Sequence, residues 1–379
     1  MEFTEEQLML RDMVREFAEN EIEPKAAEID ETCEFPLENL KKMGELGLLG
    51  IIFPEEYGGA GMDTVSFVLA IEEVARACGS TCISMAAHTS LCSWPIFAFG
   101  TEEQKRKYLP PLAQGKSLGS FCLTEPGSGS DAGAAKTTAV LEGDHYILNG
   151  NKIFVTNGGH ADTFVVMAKT QPDKGVHGIS AFIVEKGFDG VVLGKKEDKL
   201  GLRASDTRYI TFEDCRVPKE NLLGKENEGF KYALKTLDGG RIGIGAMSVG
   251  LAQAAYEEAA AYAKERDAFG KIIAEFQAIR WMIANMATEI HASRLMVHHA
   301  ARLKDANKPI TTEAAMAKLY ASETAMRATK NAIQIFGGYG YVKDYPVERY
   351  WRDAKLMVIG EGTSEVQRLV ISREVLKGF

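Results

Sequence analysis

The sequence predicts a multidomain chain of α and β parts: an N-terminal helical domain over 1–118, a middle antiparallel β-domain over 119–225 and a C-terminal four-helix bundle over 226–379. Three observations predict it. Apolar residues recur at helical spacing near both ends of the chain. Between them the pattern changes to short alternating or apolar runs. Pro- and Gly-rich punctuation separates the runs. Helices, then strands, then helices again is not a βαβ alternation, so a Rossmann-type sheet is disfavoured. With 379 residues the chain has room for two or three domains.

In the first part, Glu5–Ile29, Leu37–Leu48 and Val65–Ala77 read as helices, broken at Pro54-Glu55-Glu56-Tyr57-Gly58-Gly59 and at Pro110-Pro111. In the second, Phe164-Val165-Val166-Met167-Ala168 and Ala181-Phe182-Ile183-Val184 read as strands. Glu142-Gly143-Asp144 and Asn149-Gly150-Asn151 read as hairpin turns, which suggests a small sandwich or barrel. In the third, Ile279, Ile283, Met286, Ile290 and Val297 mark one face of a long helix. The helix before it carries Gly243, Gly250, Ala254 and Ala261 on one face, where small residues let helix axes approach closely. Asp305–Pro309 and Gly337-Gly338 are stops, and four long helices imply a bundle.

A net charge of -9 argues against nucleic acid or an anionic membrane as the main partner. The acidic start, Met1-Glu2-Phe3-Thr4-Glu5-Glu6, has no apolar stretch of a targeting peptide, and no uninterrupted apolar run is long enough to insert in a membrane. The expectation is a cytoplasmic protein. Its six cysteines are scattered and read as reduced, buried thiols, with Cys92 or Cys122 as candidates for a reactive one. No metal-ligand spacing is present.

Three segments carry candidate chemistry, and each also has a bland reading. Thr124-Glu125-Pro126-Gly127-Ser128-Gly129-Ser130-Asp131 follows a strand, Ser120–Leu123. Its glycines and hydroxyls suit close approach by a flat ring or a phosphate, or form an ordinary turn. Asn151-Lys152-Ile153-Phe154-Val155-Thr156-Asn157 reads as a strand with Phe154 and Thr156 on one face. That pair could cover a heterocycle, or Phe154 could be a core residue. In Ile359-Gly360-Glu361-Gly362-Thr363-Ser364-Glu365-Val366-Gln367, Ser364 and Gln367 fit a capping box, so a helix and its anion-binding N–H groups start there. Glu361 stands between two glycines. It is either a shielded base with a raised pKa or a solvated loop acid.

In this order, Leu123–Asp131, Arg266-Asp267-Ala268-Phe269-Gly270, Gln334-Ile335-Phe336-Gly337-Gly338-Tyr339-Gly340 and Glu361-Gly362-Thr363-Ser364-Glu365 resemble the acyl-CoA dehydrogenase family over essentially the whole chain. The likeness is greatest to its short-chain, butyryl-CoA dehydrogenase-like branch. The resemblance implies the helical–β–bundle fold, a homotetramer built as a dimer of dimers, and FAD. Phe121, Leu123 and Thr124 would edge the flavin ring. Gly129 belongs to the same loop, and Ser130 would meet both flavin and the CoA pantetheine. Phe154, Val155 and Thr156 would lie over the ring's other side. Arg266, Phe269, Gln277 and Gln334, Ile335, Phe336, Gly337 and Gly338 would hold the FAD phosphates and adenosine, partly from a neighbouring subunit. Thr363, Ser364, Glu365 and Gln367 would complete that site. Asp238 and Arg241 would face the CoA chain, and Gly360 and Gly362 the acyl group.

By the same resemblance Glu361 is the base. It takes the thioester α-proton while the β-hydride passes to flavin N5, and its backbone N–H helps to bind the thioester carbonyl. Some relatives carry the base just before the arginine matching Arg241. Here that position is Gly240, which leaves Glu361 as the candidate. Phe154 stands where the family most often has Trp. Gly360 stands where short- and medium-chain members usually have Tyr. A missing ring there widens the acyl pocket, so the substrate expected is short, branched or aryl-substituted, as in aryl-acrylyl-CoA reductases such as caffeyl-CoA reductase. The implied redox partner is electron-transferring flavoprotein, in a simple or a bifurcating complex. The direction, oxidation or enoyl-CoA reduction, stays open. The rivals are a flavin oxidase or monooxygenase on the same fold, and a cofactor-less helical scaffold.

Overall fold

A computed structural model describes residues 2–377. Helix α1 (Glu5–Phe17) starts on a capping box in which Thr4 and Gln7 each bind the other's backbone N–H. The helix expected to reach Ile29 is interrupted. Pro24 lacks an N–H, and the chain passes it through a π turn (Ala18–Ile22) and a 3-10 turn (Glu23–Lys25) before α2 (Ala26–Thr32). Helices α3 (Leu37–Glu45) and α4 (Thr64–Ala77) follow. Next, α5 (Gly79–Ala86), a π-helical segment (Ala87–Ser93) and α6 (Trp94–Phe99) form one run of 21 residues with mean hydropathy 1.2. By length and composition it is apolar enough to cross a membrane, but most of it is buried inside the fold. Helix α7 (Glu102–Ala113) corrects the expectation at Pro110-Pro111: both prolines lie in its last turn, not in a break.

The middle of the chain forms β1 (Gly119–Cys122), β2 (Thr138–Glu142), β3 (His145–Thr156), β4 (Thr163–Lys169), β5 (Ile179–Glu185), β6 (Val191–Lys196), β7 (Thr207–Pro218) and β8 (Leu222–Leu223). These make a single eight-stranded sheet of order β6-β7-β3-β2-β4-β5-β8, with β1 added on β4. The pairings are antiparallel except β1–β4 and β2–β4, which are parallel. Gly143-Asp144 is the two-residue turn between β2 and β3. Asn149-Gly150-Asn151 is not a turn: it lies within β3 as a bulge, with Gly150 at φ 151. Strand β4 is buried on both faces, Phe164 and Val166 in the β-domain core and Val165 and Met167 against Leu109 and Leu112 of α7. Burial on both faces gives a continuous apolar run in place of alternation.

The C-terminal part contains α8 (Gly229–Glu265), the short hairpin β9 (Asp267–Ala268) and β10 (Lys271–Ile272), α9 (Gln277–Asp305), α10 (Thr311–Phe336), α11 (Val347–Met357) and α12 (Ser364–Leu376). Three helices are long, and the bundle is completed by two shorter ones, where four long helices were expected. Gly243, Gly250 and Ala254 are buried as expected, and Ala261 is exposed. A Cβ at Gly250 would stand 2.3 Å from the Glu72 carbonyl oxygen, so α8 and α4 meet at backbone distance. The Asp305 carboxylate accepts from the N–H groups of Thr64 (2.7 Å) and Val65 (3.2 Å), tying the end of α9 to the start of α4. One apolar core therefore runs from the N-terminal helices into the bundle, including Val68, Ile71, Met247 and Met286.

Candidate active site

Glu361 lies in the loop between α11 and α12, at φ 52, and Gly362 follows at φ 91. A left-handed conformation at a non-glycine residue persists only where the surroundings hold it. Two buried side chains do so. Lys318 of α10 donates its Nζ to the Gly362 carbonyl (2.7 Å). Gln367 of α12 donates its Nε2 to the carbonyls of Gly362 (2.9 Å) and Glu361 (3.2 Å). Gln367 is thus spent inside the loop. The cap of α12 is Thr363, whose hydroxyl accepts from Val366 N (3.2 Å); the expected Ser364–Gln367 capping box is displaced by one residue.

The Glu361 carboxylate is carried to Gly240 of α8. A Cβ at Gly240 would stand 2.0 Å from Oε2 and 2.9 Å from Leu91 of the π-helical segment. Oε2 is buried and has no hydrogen-bond partner among the described residues. Burial pushes the carboxyl up to about 7, against the opposing pull of the Lys318 and Arg241 charges. Burial likewise brings the Lys318 ammonium down to about 8, against the pull of Glu361. Arg241 pairs with Asp238 (2.6 Å), and Thr311 donates to the other Asp238 oxygen (2.8 Å). Gly360 is not needed by the backbone. Its φ is not positive, and the nearest atoms to a Cβ there would be those of Leu356, at 3.5 Å or more, an ordinary contact.

The second group lies on the β-domain. Phe154 sits at a β3 bulge, φ 57, and the residue is 62% exposed. Thr156 is half-buried on the same side, whereas Val155 points into the β-domain core, so only its backbone is available to a ligand. Phe121, Leu123 and Thr124 are half-buried, and Gly129 and Ser130 exposed. Two ties hold the segments together. Ser120 donates to the Thr156 carbonyl (2.6 Å), and Ile153 N–H to the Thr124 carbonyl (2.9 Å). Beneath them lies a buried ion pair, Lys152–Glu125 (2.7 Å). Lys152 also binds the Leu123 carbonyl (3.2 Å), and Glu125 accepts from the N–H groups of Lys136 (2.6 Å) and Thr137 (3.0 Å). Cys92 and Cys122 are fully buried and their thiols are pushed up by burial, which leaves neither as a nucleophile.

The third group stands at the far end of the bundle. Arg266, Ile335, Phe336, Gly337 and Gly338 line a cavity of about 580 Å³ together with Tyr262 and Tyr339. Phe269 is 96% exposed at the tip of the β9–β10 hairpin; Gln277, at the start of α9, and Gln334, next to Ile335, are also exposed. Thr363, Ser364 and Glu365 line a different cavity, of about 490 Å³, beside Lys355 and Arg327. Twenty-five residues of α8 separate Gly240 from its end, about 37 Å at 1.5 Å rise per residue. Lys318 and Phe336 are about 27 Å apart along α10.

Exposed rings at Phe154 and Phe269 fit a ligand with flat heterocycles, and so do glycines 127, 129, 270, 337 and 338, where a Cβ would meet nothing within 4 Å. Models of the acyl-CoA dehydrogenase N-terminal, middle and C-terminal domains match residues 4–116, 120–215 and 227–376. The chain belongs to the acyl-CoA dehydrogenase family. It is an oxidoreductase, and FAD is its cofactor. It is 58% identical over 374 residues to a short-chain specific acyl-CoA dehydrogenase of Clostridium acetobutylicum, covering 99% of each chain. It is 48% identical over 377 residues to a 3-(aryl)acrylate reductase of Clostridium sporogenes, covering 100% of each. A chain solved in work on the electron transferring flavoprotein of Acidaminococcus fermentans and flavin-based electron bifurcation superposes with a TM-score of 0.99. That chain is 55% identical, with 100% of this chain and 99% of that one covered.

Proposed function

We propose that the chain interconverts acyl-CoA and enoyl-CoA thioesters with Glu361 as the proton-transferring base, and that its pocket takes branched or aryl-substituted acyl groups. The observation that carries the reading is the half-buried Glu361: its Oε2 buried and without a hydrogen bond, its backbone held at a strained φ and its carboxylate aimed at Gly240. A thioester α-proton is weakly acidic, and a desolvated carboxyl near 7 is a far better base than a solvated one. The Glu361 N–H has no backbone acceptor among the described residues and would donate to the thioester carbonyl, favouring the enolate-like charge. Phe121, Leu123, Thr124, Ser130, Phe154 and Thr156 would seat the flavin. FAD, when bound, supplies the two-electron chemistry. Asp238 and Arg241 would orient the CoA arm.

The far-end residues, Arg266, Phe269, Gln277 and Gln334 to Gly338, stand tens of ångströms along the helices from Glu361. They therefore serve a cofactor whose flavin lies in a neighbouring copy, which supports a homotetramer of paired dimers. The likeness to a chain solved in work on an electron transferring flavoprotein supports such a flavoprotein as the redox partner.

Gly360 supports the wide pocket, because neither φ nor packing demands glycine there. The aryl-acrylate reductase among the relatives supports the same substrate class. The test is anaerobic titration of the FAD holoenzyme with butyryl-, isovaleryl- and 3-phenylpropionyl-CoA, followed by flavin absorbance. Bleaching should be abolished in Glu361→Gln, and kcat/KM should favour the branched or aryl ester. Gly360→Tyr should depress the bulky substrates at least tenfold more than butyryl-CoA (about 1.4 kcal/mol). A wild-type preference for butyryl-CoA removes the wide-pocket reading. Bleaching of Glu361→Gln at the wild-type rate removes the base assignment.

A further inference from the structure

We infer that Lys318 is a positioning residue for Glu361, holding the base loop from α10 and supplying the nearby positive charge that keeps the carboxylate available. The inference rests on Glu361 being the base. Its ground is geometric. Lys318 is completely buried on a helix face otherwise made of small apolar residues, Ala314, Ala321 and Ala325 at 4-3-4 spacing. A lysine there needs a partner, and its Nζ binds the carbonyl of Gly362, the residue after Glu361. The same carbonyl already accepts from Gln367, so the contact is not needed merely to satisfy the backbone. The extra donor is an ammonium, bound to the carbonyl next to Glu361, whose own Oε2 has no hydrogen bond among the described residues.

The charged groups acting on the pair come from α8, α10 and α12. Arg241 of α8 acts on Glu361 and is itself tied to Asp238. Glu365 of α12 and Glu323 of α10 act on Lys318. Leu91, which also stands against the Gly240 position, is neutral. Arg241 shares its charge with Asp238, whereas Lys318 has no carboxylate within 4.0 Å among the described residues. Lys318 and Glu361 titrate as a coupled pair. Across the working range the ammonium lowers the pH at which the carboxyl gives up its proton.

The test is the pH profile of kcat/KM for acyl-CoA oxidation by holoenzyme, using a dye acceptor. Lys318→Gln keeps a donor toward Gly362 and removes the charge; Lys318→Met removes both. The ascending limb, set by Glu361, should move up by about one pH unit or more in both variants, since an opposite charge at close range shifts a carboxyl by roughly one to three. Lys318→Met should also lose amplitude. Limb position does not depend on how much of the protein is folded, so poor folding of a variant does not mask the result. A limb unchanged in Lys318→Gln overturns the inference. So does complete loss of activity at every pH in a variant that still binds FAD, because charge alone then does not describe the role. Failure of the base assignment is seen separately, as an active Glu361→Gln.

Discussion

Replacing Glu361 by Gln should kill the chemistry and at the same time stabilise the protein at neutral pH. The folded carboxyl holds its proton up to about pH 7, while an unfolded glutamate releases it near 4.5. Folding therefore takes up a proton between those values, and stability falls as pH rises through the window. Above pH 7 the buried carboxylate carries the whole penalty. The gap of about 2.5 pH units, at 1.36 kcal/mol each, gives about 3 kcal/mol as a ceiling. Glutamine is isosteric and pays no charge burial, so Glu361→Gln should be about 3 kcal/mol more stable than wild type at pH 8. At pH 5 the difference should be under about 1 kcal/mol. The measurement is urea unfolding of both FAD-loaded proteins at the two pH values, at one protein concentration. Equal stability at pH 8, or a gain independent of pH, refutes the reasoning, because either result means that the carboxylate is solvated in the folded protein.

Two further substitutions, and one control, probe the frame around it. Gly240→Ala places a methyl 2.0 Å from Glu361 Oε2 and should cost about a hundredfold in kcat with FAD retained. Gly243→Ala, whose nearest neighbour is Phe67 at 3.6 Å, is the control for stability, and equal activity in both variants would contradict the placement of the carboxylate. Lys152→Met leaves Glu125 buried and unpaired, which should cost about 3–5 kcal/mol and loosen FAD. Gel filtration with absorbance detection checks the second effect, and a variant that keeps its FAD and its unfolding midpoint would show the pair to be dispensable.

Periodicity made the helix–strand–helix order legible, because it depends on local pattern and on burial of one face at a time. Gly143-Asp144 and the stops after Asp305 and Phe336 were legible for the same reason. The bulge at Gly150 was not. A glycine between two asparagines reads as a turn, and only the pairing with β7 turns it into a defect inside a strand. The break at Pro24 is masked in the sequence because the apolar spacing continues across it. In the site, the loop around Glu361 could be read, but its cap was placed one residue late, since Thr363 and Ser364 are equally good caps by type. Lys152 was illegible for a stronger reason. Alternation from Phe154 would put it on the outer face, and a bulge between Lys152 and Val155 reverses that. Lys318 had a signal, a lone charge on an alanine stripe, that spacing alone does not connect to Glu361.

The void above Gly240 has a bearing on how such enzymes diverge. The same point in space is reachable from two places in the chain, a helix position at 240 and a loop position at 361, and only one can be filled at a time. Moving the base from one to the other thus needs two substitutions. Neither order is neutral: adding a side chain at 240 first produces a collision, and, on the proposed assignment, removing the one at 361 first leaves no base. Lineages that differ in this choice are separated by a fitness valley whose walls are the 2.0 Å between a missing Cβ and a carboxylate oxygen.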